Sequence, residues 1–409
     1  MFCSSVNKSV LTALLCGFTL LCGCGKASSD TSSTQLPEAL PSQISVMSGT
    51  PLYQQDGAQI SCELEEGDEL SISYSVHAEP LTYYQIKADN SGDCKVLLAA
   101  GENDINCRSI TAEADEDGSM SRVIRSDISG NLDFQLLVSG GGKSEVGHAE
   151  YIPAENVGYT IMSSSSENVR ILLHQDDISD SGVSSEQLVK WLDALDAIRK
   201  TASEWSADGL DSIDICAACE FEHYGLSGDP IYIRRKYMAS ELKKVAETID
   251  LPTEQQDILW GFAHEICHAA DGFGHGGVSP AVFDSELFAQ LECACCLDLN
   301  GYRYNGKETP LEFFSDSPTL ENRLYSDEGF IFRLLEIFDE NGTGLKDILP
   351  VFTERRSQPH NQSASEGLEA FLDSISKCVG YDITAFFTET ELITIRTKFA
   401  IQDRNTPTN

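Results

Sequence analysis

Two histidines four residues apart, with a glutamate beside the first, are the residues of this chain best suited to chemistry: His264-Glu265-Ile266-Cys267-His268. On a helix, positions four apart lie one above the other on the same face, so both imidazoles can aim at one point. Two neutral imidazoles converging from successive turns suit zinc, and Glu265 is placed to reach a water at that ion. The chain holds only 8 histidines in 409 residues. At that frequency the H-E-x-x-H pattern arises by chance in roughly one such chain per hundred. A third ligand must come from elsewhere, and Asp271, His275, Glu286 and Glu292 all follow His268. His275 sits in a glycine-rich run and falls one residue late for the spacing H-E-x-x-H-x-x-G-x-x-H. Glu286 lies in a stretch that reads as the next helix, which makes it the better candidate.

The elements that must hold these groups are signalled nearby. Thr253 and Gln256 form a capping-box pair after Pro252, Gly272 supplies a stop, and Ile258, Phe262, Ile266 and Ala269 recur at helical spacing. This predicts a metal-bearing helix with a core-facing stripe. Ser279-Pro280 can open the second helix and Asn300-Gly301 can close it.

Glu286-Leu287-Phe288-Ala289, coming after H-E-x-x-H, resembles the gluzincin metallopeptidases. Their metal site continues with a glutamate on the next helix, commonly within E-x-F-A, as in aminopeptidase-N-like enzymes. The lead-in Trp260-Gly261-Phe262-Ala263-His264-Glu265 is similar to enhancin-like, mucin-directed peptidases. The resemblance implies an α+β chain with a zincin-like metallopeptidase domain. It implies zinc (Zn2+) held by His264, His268 and Glu286, with Glu265 as general base. Zinc in such a site lowers the pKa of water towards ~7 and polarises the scissile carbonyl. Glu265 then takes the water's proton and passes it to the leaving amine. The Gly-x-Met-Glu-Asn motif by which such aminopeptidases hold an amino terminus is absent, which points to an endopeptidase. Tyr325 resembles the tyrosine that stabilises the tetrahedral intermediate in these enzymes. Its spacing to Gly329 is off by one residue, and an ordinary half-buried tyrosine is the alternative. Gly380 to Phe387 is similar to the segment that closes many gluzincin domains.

Residues 1–23 read as an export signal, with Lys8 before an apolar run too short to span a bilayer. Leu21-Cys22-Gly23-Cys24 resembles the bacterial lipobox, which implies lipid on Cys24 and a place on the extracellular face of the cell membrane. Residues 24–44 read as a flexible tether, 45–157 as an all-β sandwich and 158–409 as the zincin-like domain. In the sandwich, Glu69 to Val76 and Asn131 to Val138 alternate polar and apolar residues; Asn90 to Asp93 and Ser139 to Gly142 are turns. In the second part Val169 to Leu173 and Ser212 to Cys216 read as strands. Pro230 to Ile233 reads as an edge strand able to pair with extended substrate. Ser184 to Gln187 forms a capping box, and Gly329 to Phe338 and Leu368 to Val379 read as core helices.

A net charge of −37 sets nucleic acid aside as a partner. The expected partner is a protein or glycoprotein substrate, met by a monomer. Ten cysteines follow Cys24, an odd number in each globular part, and Cys216-Ala217-Ala218-Cys219 reads as structural. The competing reading is a non-catalytic surface lipoprotein, an adhesin or carbohydrate binder whose second domain is inert.

Overall fold

The computed structural model describes residues 37–205, 210–273, 283–315, 324, 326–356 and 363–405, within one compact unit, Leu36–Asn409. Cys24, His275, Ser279, Pro280 and Tyr325 lie outside the described residues.

The alternating stretches become antiparallel strands: β1 (Glu38–Ala39), β2 (Pro41–Ser48), β3 (Leu52–Asp56), β4 (Gln59–Leu64), β5 (Glu69–His77), β6 (Tyr83–Gly92), β7 (Lys95–Ala100), β8 (Thr111–Glu113), β9 (Ser119–Arg125), β10 (Asn131–Ser139) and β11 (Gly142–Pro153). One sheet runs β3-β4-β11-β6-β9 with β1 beside β11; the other runs β2-β5-β10-β7-β8. Strand pairing therefore begins at Glu38, inside the stretch read as a tether. The two longest alternating runs pair with each other, Phe134 opposite Tyr74, their rings stacked 4.7 Å apart. Ile60, Ile72, Ile86, Leu136 and Val146, all fully buried, fill the space between the sheets.

A third sheet follows, of β12 (Tyr159–Ser163), β13 (Val169–His174), β14 (Ile213–Cys219), β15 (Gly225–Leu226) and β16 (Ile231–Arg234). Its order is β12-β13-β14-β16-β15, with β13, β14 and β16 parallel. The alternation of its strands serves two cores. Val169, Ile171, Ile213, Ile215, Ile231 and Ile233 face the helices. Leu172, Cys216 and Tyr232 face the sandwich, where Tyr83, Ile110 and Val123 pack on them. A parallel sheet is stable when both faces are covered, and here the sandwich is the second cover. Pro230 to Ile233 is not the edge: β15 pairs outside β16 and takes that position.

Ten α-helices are described: α1 (Gln175–Ser181), α2 (Ser185–Ser203), α3 (Met238–Thr248), α4 (Trp260–Ala270), α5 (Ser285–Asn300), α6 (Pro310–Ser315), α7 (Asp327–Glu340), α8 (Leu349–Arg356), α9 (Ala364–Val379) and α10 (Glu389–Asn405). The capping box Ser184/Gln187 starts α2. Trp191 of α2 is fully buried, stacks edge-on against Phe262 at 4.9 Å and donates its indole N–H to the Ile258 carbonyl at 3.0 Å. This brace fixes where α4 begins. Among the described residues no helix is long and apolar enough to cross a membrane.

The chain is α+β, but the zincin-like assignment of residues 158–409 is corrected. What forms is a mixed helix-and-strand structure with sandwich-like sheets, in which the third sheet leans on the sandwich through a shared apolar cluster. Caps and periodicity specify local elements; which layers pack on which depends on contacts far apart in sequence.

Candidate metal centre

The start of α4 departs from the capping-box expectation. Thr253–Gln255 forms a separate turn, and α4 starts at Trp260 after Leu259, whose φ of 71° is left-handed. The Leu259 N–H donates to the buried Asp257 carboxylate at 3.0 Å, which holds this unfavourable conformation in place. The helix ends as expected, with Gly272 at φ 100° donating its N–H to the Ala269 carbonyl at 2.9 Å. Asp284 caps α5 by accepting the Leu287 N–H at 3.0 Å, which sets Glu286 in the first turn, and Gly301 closes the helix in the left-handed conformation.

These two helices bring His264, His268 and Glu286 together, their ligand atoms all within 4.8 Å of one another. The Nε2 atoms of the histidines are 3.1 Å apart. Glu286 Oε2 is 3.4 Å from His264 Nε2, and its Oε1 is 3.3 Å from His268 Nε2. A tetrahedral zinc site with bonds of about 2.0–2.1 Å has ligand-to-ligand edges of about 3.3–3.4 Å. The donor set and its spacing therefore fit zinc. The other acidic candidates stand apart from this trio: Asp271 is buried at the end of α4, and Glu292 is fully buried further along α5. Nδ1 of each histidine is buried without a hydrogen-bond partner among the described residues. That differs from sites in which a carboxylate orients the ligating ring.

Glu265 lines the same cleft, about 700 Å³ in volume, with His264, Glu286, Tyr224, Gly225 and Trp260. Burial raises the Glu265 carboxyl above its ordinary pKa; the two histidines pull it back and Glu286 adds to the rise. Burial would lower His268, but its bond to Glu286 and the charges of Glu265, Glu286 and Asp271 carry it above its ordinary value. Hydrogen bonds to His264 and His268 hold Glu286 far below the usual carboxylate range.

Three neighbours of the centre were not singled out from the sequence. A Cβ on Gly225 would come within 2.7 Å of Glu265 Oε1, so only glycine leaves that carboxylate its place. Tyr224 occupies the space a side chain at Gly261 would need. The Ser227 hydroxyl donates to the Glu265 carbonyl at 3.2 Å. The one available signal was Gly225 itself, since a glycine in a strand often marks close approach of another group.

The sequence matches no family model and no curated protein. Among solved structures, the chain is similar to the carbohydrate-binding module TmCBM61 in complex with β-1,4-galactotriose. That match has 18% identity and a TM-score of 0.21, covering 27% of this chain and 87% of the module. A functionally unknown conserved protein of Bacillus anthracis str. Ames, solved as a mutant, matches over 79% of this chain and 72% of its own at 12% identity and a TM-score of 0.40. The family 11 carbohydrate-binding module of Clostridium thermocellum, in complex with a mixed-linked tetrasaccharide, matches over 31% of this chain and 94% of its own at 8% identity and a TM-score of 0.17. These likenesses give the zincin-like fold no support.

Proposed function

We propose that this protein is a zinc-dependent hydrolase of peptide bonds, an endopeptidase acting on extracellular proteins or glycoproteins and carried at the cell surface by lipid on Cys24. The observation that carries the reading is the triangle of 3.1, 3.3 and 3.4 Å between His264, His268 and Glu286. When bound there, zinc would supply Lewis acidity towards water and the substrate carbonyl. The remaining work falls to the protein. Glu265, its basicity increased by burial, takes the proton of the attacking water and returns it to the leaving amine. Gly225 keeps room for that carboxylate, and β15, the edge of the third sheet, borders the cleft where an extended chain can add as a strand.

The test is Glu265→Gln, assayed on a proteome-derived peptide library. Cleavage is expected to fall by about 10²–10⁴-fold while zinc content is unchanged. A Gln variant cutting at the wild-type rate overturns the role.

The second reading is a non-catalytic carbohydrate binder. An open trough on the sandwich, lined by Leu52, Tyr53, Gln54, Glu63, Lys143 and Glu145, presents Tyr53 at 45% exposure, as a ring that stacks on sugar would need.

A further inference from the structure

We propose that Cys62 and Cys94 are a modification site, joined by a disulfide that forms as the chain folds under oxidising conditions and that ties β4 to the turn between β6 and β7. The inference is independent of the zinc centre. It starts from β11, the strand that lies between β4 and β6. Ser144 of β11 stands opposite Cys62 on one side and opposite Gly92 on the other. Residues directly opposite in a sheet share a face. Cys62 is 5% exposed and belongs to the core between the two sheets.

A glycine brings Cys94 to the same place. Gly92 has a φ of 142°, and a Cβ there would come within 2.6 Å of Ser144 Oγ. Lacking one, the end of β6 passes close over β11. Two backbone donors hold the passage: the Asp93 N–H to the Lys143 carbonyl and the Cys94 N–H to Ser144 Oγ, both at 2.9 Å. Cys94, 3% exposed, thereby joins the same core. Both thiols donate to carbonyls of β11, Cys62 to Ser144 at 3.6 Å and Cys94 to Gly142 at 3.5 Å. They are also in hydrogen-bond contact with each other. A disulfide sets the sulfurs at about 2.05 Å, which thiols in contact approach by rotation about Cα–Cβ. The pairing resolves the odd cysteine count of the sandwich: Cys107, half-buried between β7 and β8, remains a thiol.

The oxidant is a small-molecule disulfide of the glutathione type. One cysteine thiolate attacks it, a glutathione thiolate leaves, and the second cysteine displaces the other from the mixed disulfide. Two cysteine protons and two electrons are given up, and two glutathione thiols result. In the folded chain burial, and after it the adjoining Cys94 thiol, push the Cys62 thiol up to about 11. Thiolate is then scarce at pH 7, so the exchange belongs to the folding chain, before these residues are enclosed.

The experiment refolds the reduced, denatured full chain in a buffer of reduced and oxidised glutathione, blocks free thiols with iodoacetamide and maps the unreduced peptides by mass. Most molecules are expected to carry the Cys62–Cys94 cross-link, with Cys107 alkylated. Alkylation of both Cys62 and Cys94, or either one linked to another cysteine, overturns the proposal. Thermal melts separate the bond from mere packing. Cys62→Ser, Cys94→Ser and the double variant should each melt about 5 °C below the oxidised wild type, the double no lower than the singles. A double variant that falls by the sum of the two singles assigns the thiols independent packing roles and also overturns it. Should the variants fail to fold, the peptide map of the wild type decides.

Discussion

Two charged centres lie on opposite sides of the third sheet and are built on different logic. On the sandwich side, Asp214 accepts Arg170 Nε and Nη2 at 2.7 and 2.5 Å and Arg125 Nη1 at 2.6 Å, and Arg125 Nη2 reaches Asp229 at 2.6 Å. Cations and carboxylates there consume one another and tie β9 to β14. On the helix side, two imidazoles and a carboxylate turn their lone pairs towards one point at the rim of a cleft. The first arrangement is complete without a ligand. The second is a donor set that suits a divalent cation. What separates a structural ion network from a candidate site is thus the direction in which lone pairs are left facing, not how many charges are gathered.

The largest effect should come from breaking the closed centre. Asp214→Ala leaves the guanidinium of Arg125, 8% exposed, and that of Arg170 short of their shared carboxylate. Removing one partner of a buried pair costs about 3–5 kcal/mol. Thermal unfolding should move down accordingly, while zinc uptake by the folded fraction stays whole; lost zinc uptake with unchanged stability would reverse the two roles.

Gly225→Val, next in size, probes the open centre from the side. The new side chain must displace Glu265, whose Oε1 lies 2.7 Å from the position of the added Cβ. Overpacking of this kind costs about 1–3 kcal/mol. Peptide cleavage is expected to drop further than that stability loss explains, with zinc retained. Unchanged cleavage would mean that the Glu265 position does not matter.

The smallest effect is a pH dependence with opposite signs in the metal-free and zinc-loaded protein. His268 has its folded pKa raised above the ordinary 6.5. Its stabilisation is therefore full below about 6.5 and fades as pH rises through the folded value. Glu286 has its folded pKa lowered from 4.5, so its contribution is present above about 4.5 and is lost as pH falls towards the folded value. The metal-free wild type should thus gain least over His268→Gln at pH 8 and most between about pH 4.5 and 6.5. Zinc needs the imidazoles neutral, so its affinity should rise over the range in which that gain fades. Thermal melts of both proteins with and without zinc at pH 5.5 and 8 test this; equal gains at both pH values would contradict it.

The legible part of the molecule was the part encoded over short spans. His264 and His268 sit one turn apart, and both helix ends at Gly272 and Gly301 were marked by glycine. Glu286 was reached from its place on the stretch that reads as the next helix, and the resemblance of Glu286-Leu287-Phe288-Ala289 to a known motif added to that reading. The start of α4 was misread because Leu259 adopts a left-handed φ that its own side chain does not favour; Asp257 supplies the reason from outside the helix. The sheet edge was misplaced because β15 is two residues long, too short to show alternation. Gly225 beside Glu265, Asp214 beside Arg125 and Arg122 beside Cys219 join residues dozens of positions apart, which no local pattern announces. The zincin-like arrangement failed for the same reason: the sandwich covers one face of the third sheet, and that packing is written in Tyr83, Ile110 and Val123, far from the metal motif.

The most direct test is a zinc titration of the chelator-treated protein, run beside His264→Ala and Glu286→Ala. The account predicts one zinc ion per wild-type chain and a loss of tight binding in each variant, both still folded by circular dichroism. A wild type that takes up no zinc, or variants that hold it as tightly as the wild type, would contradict it.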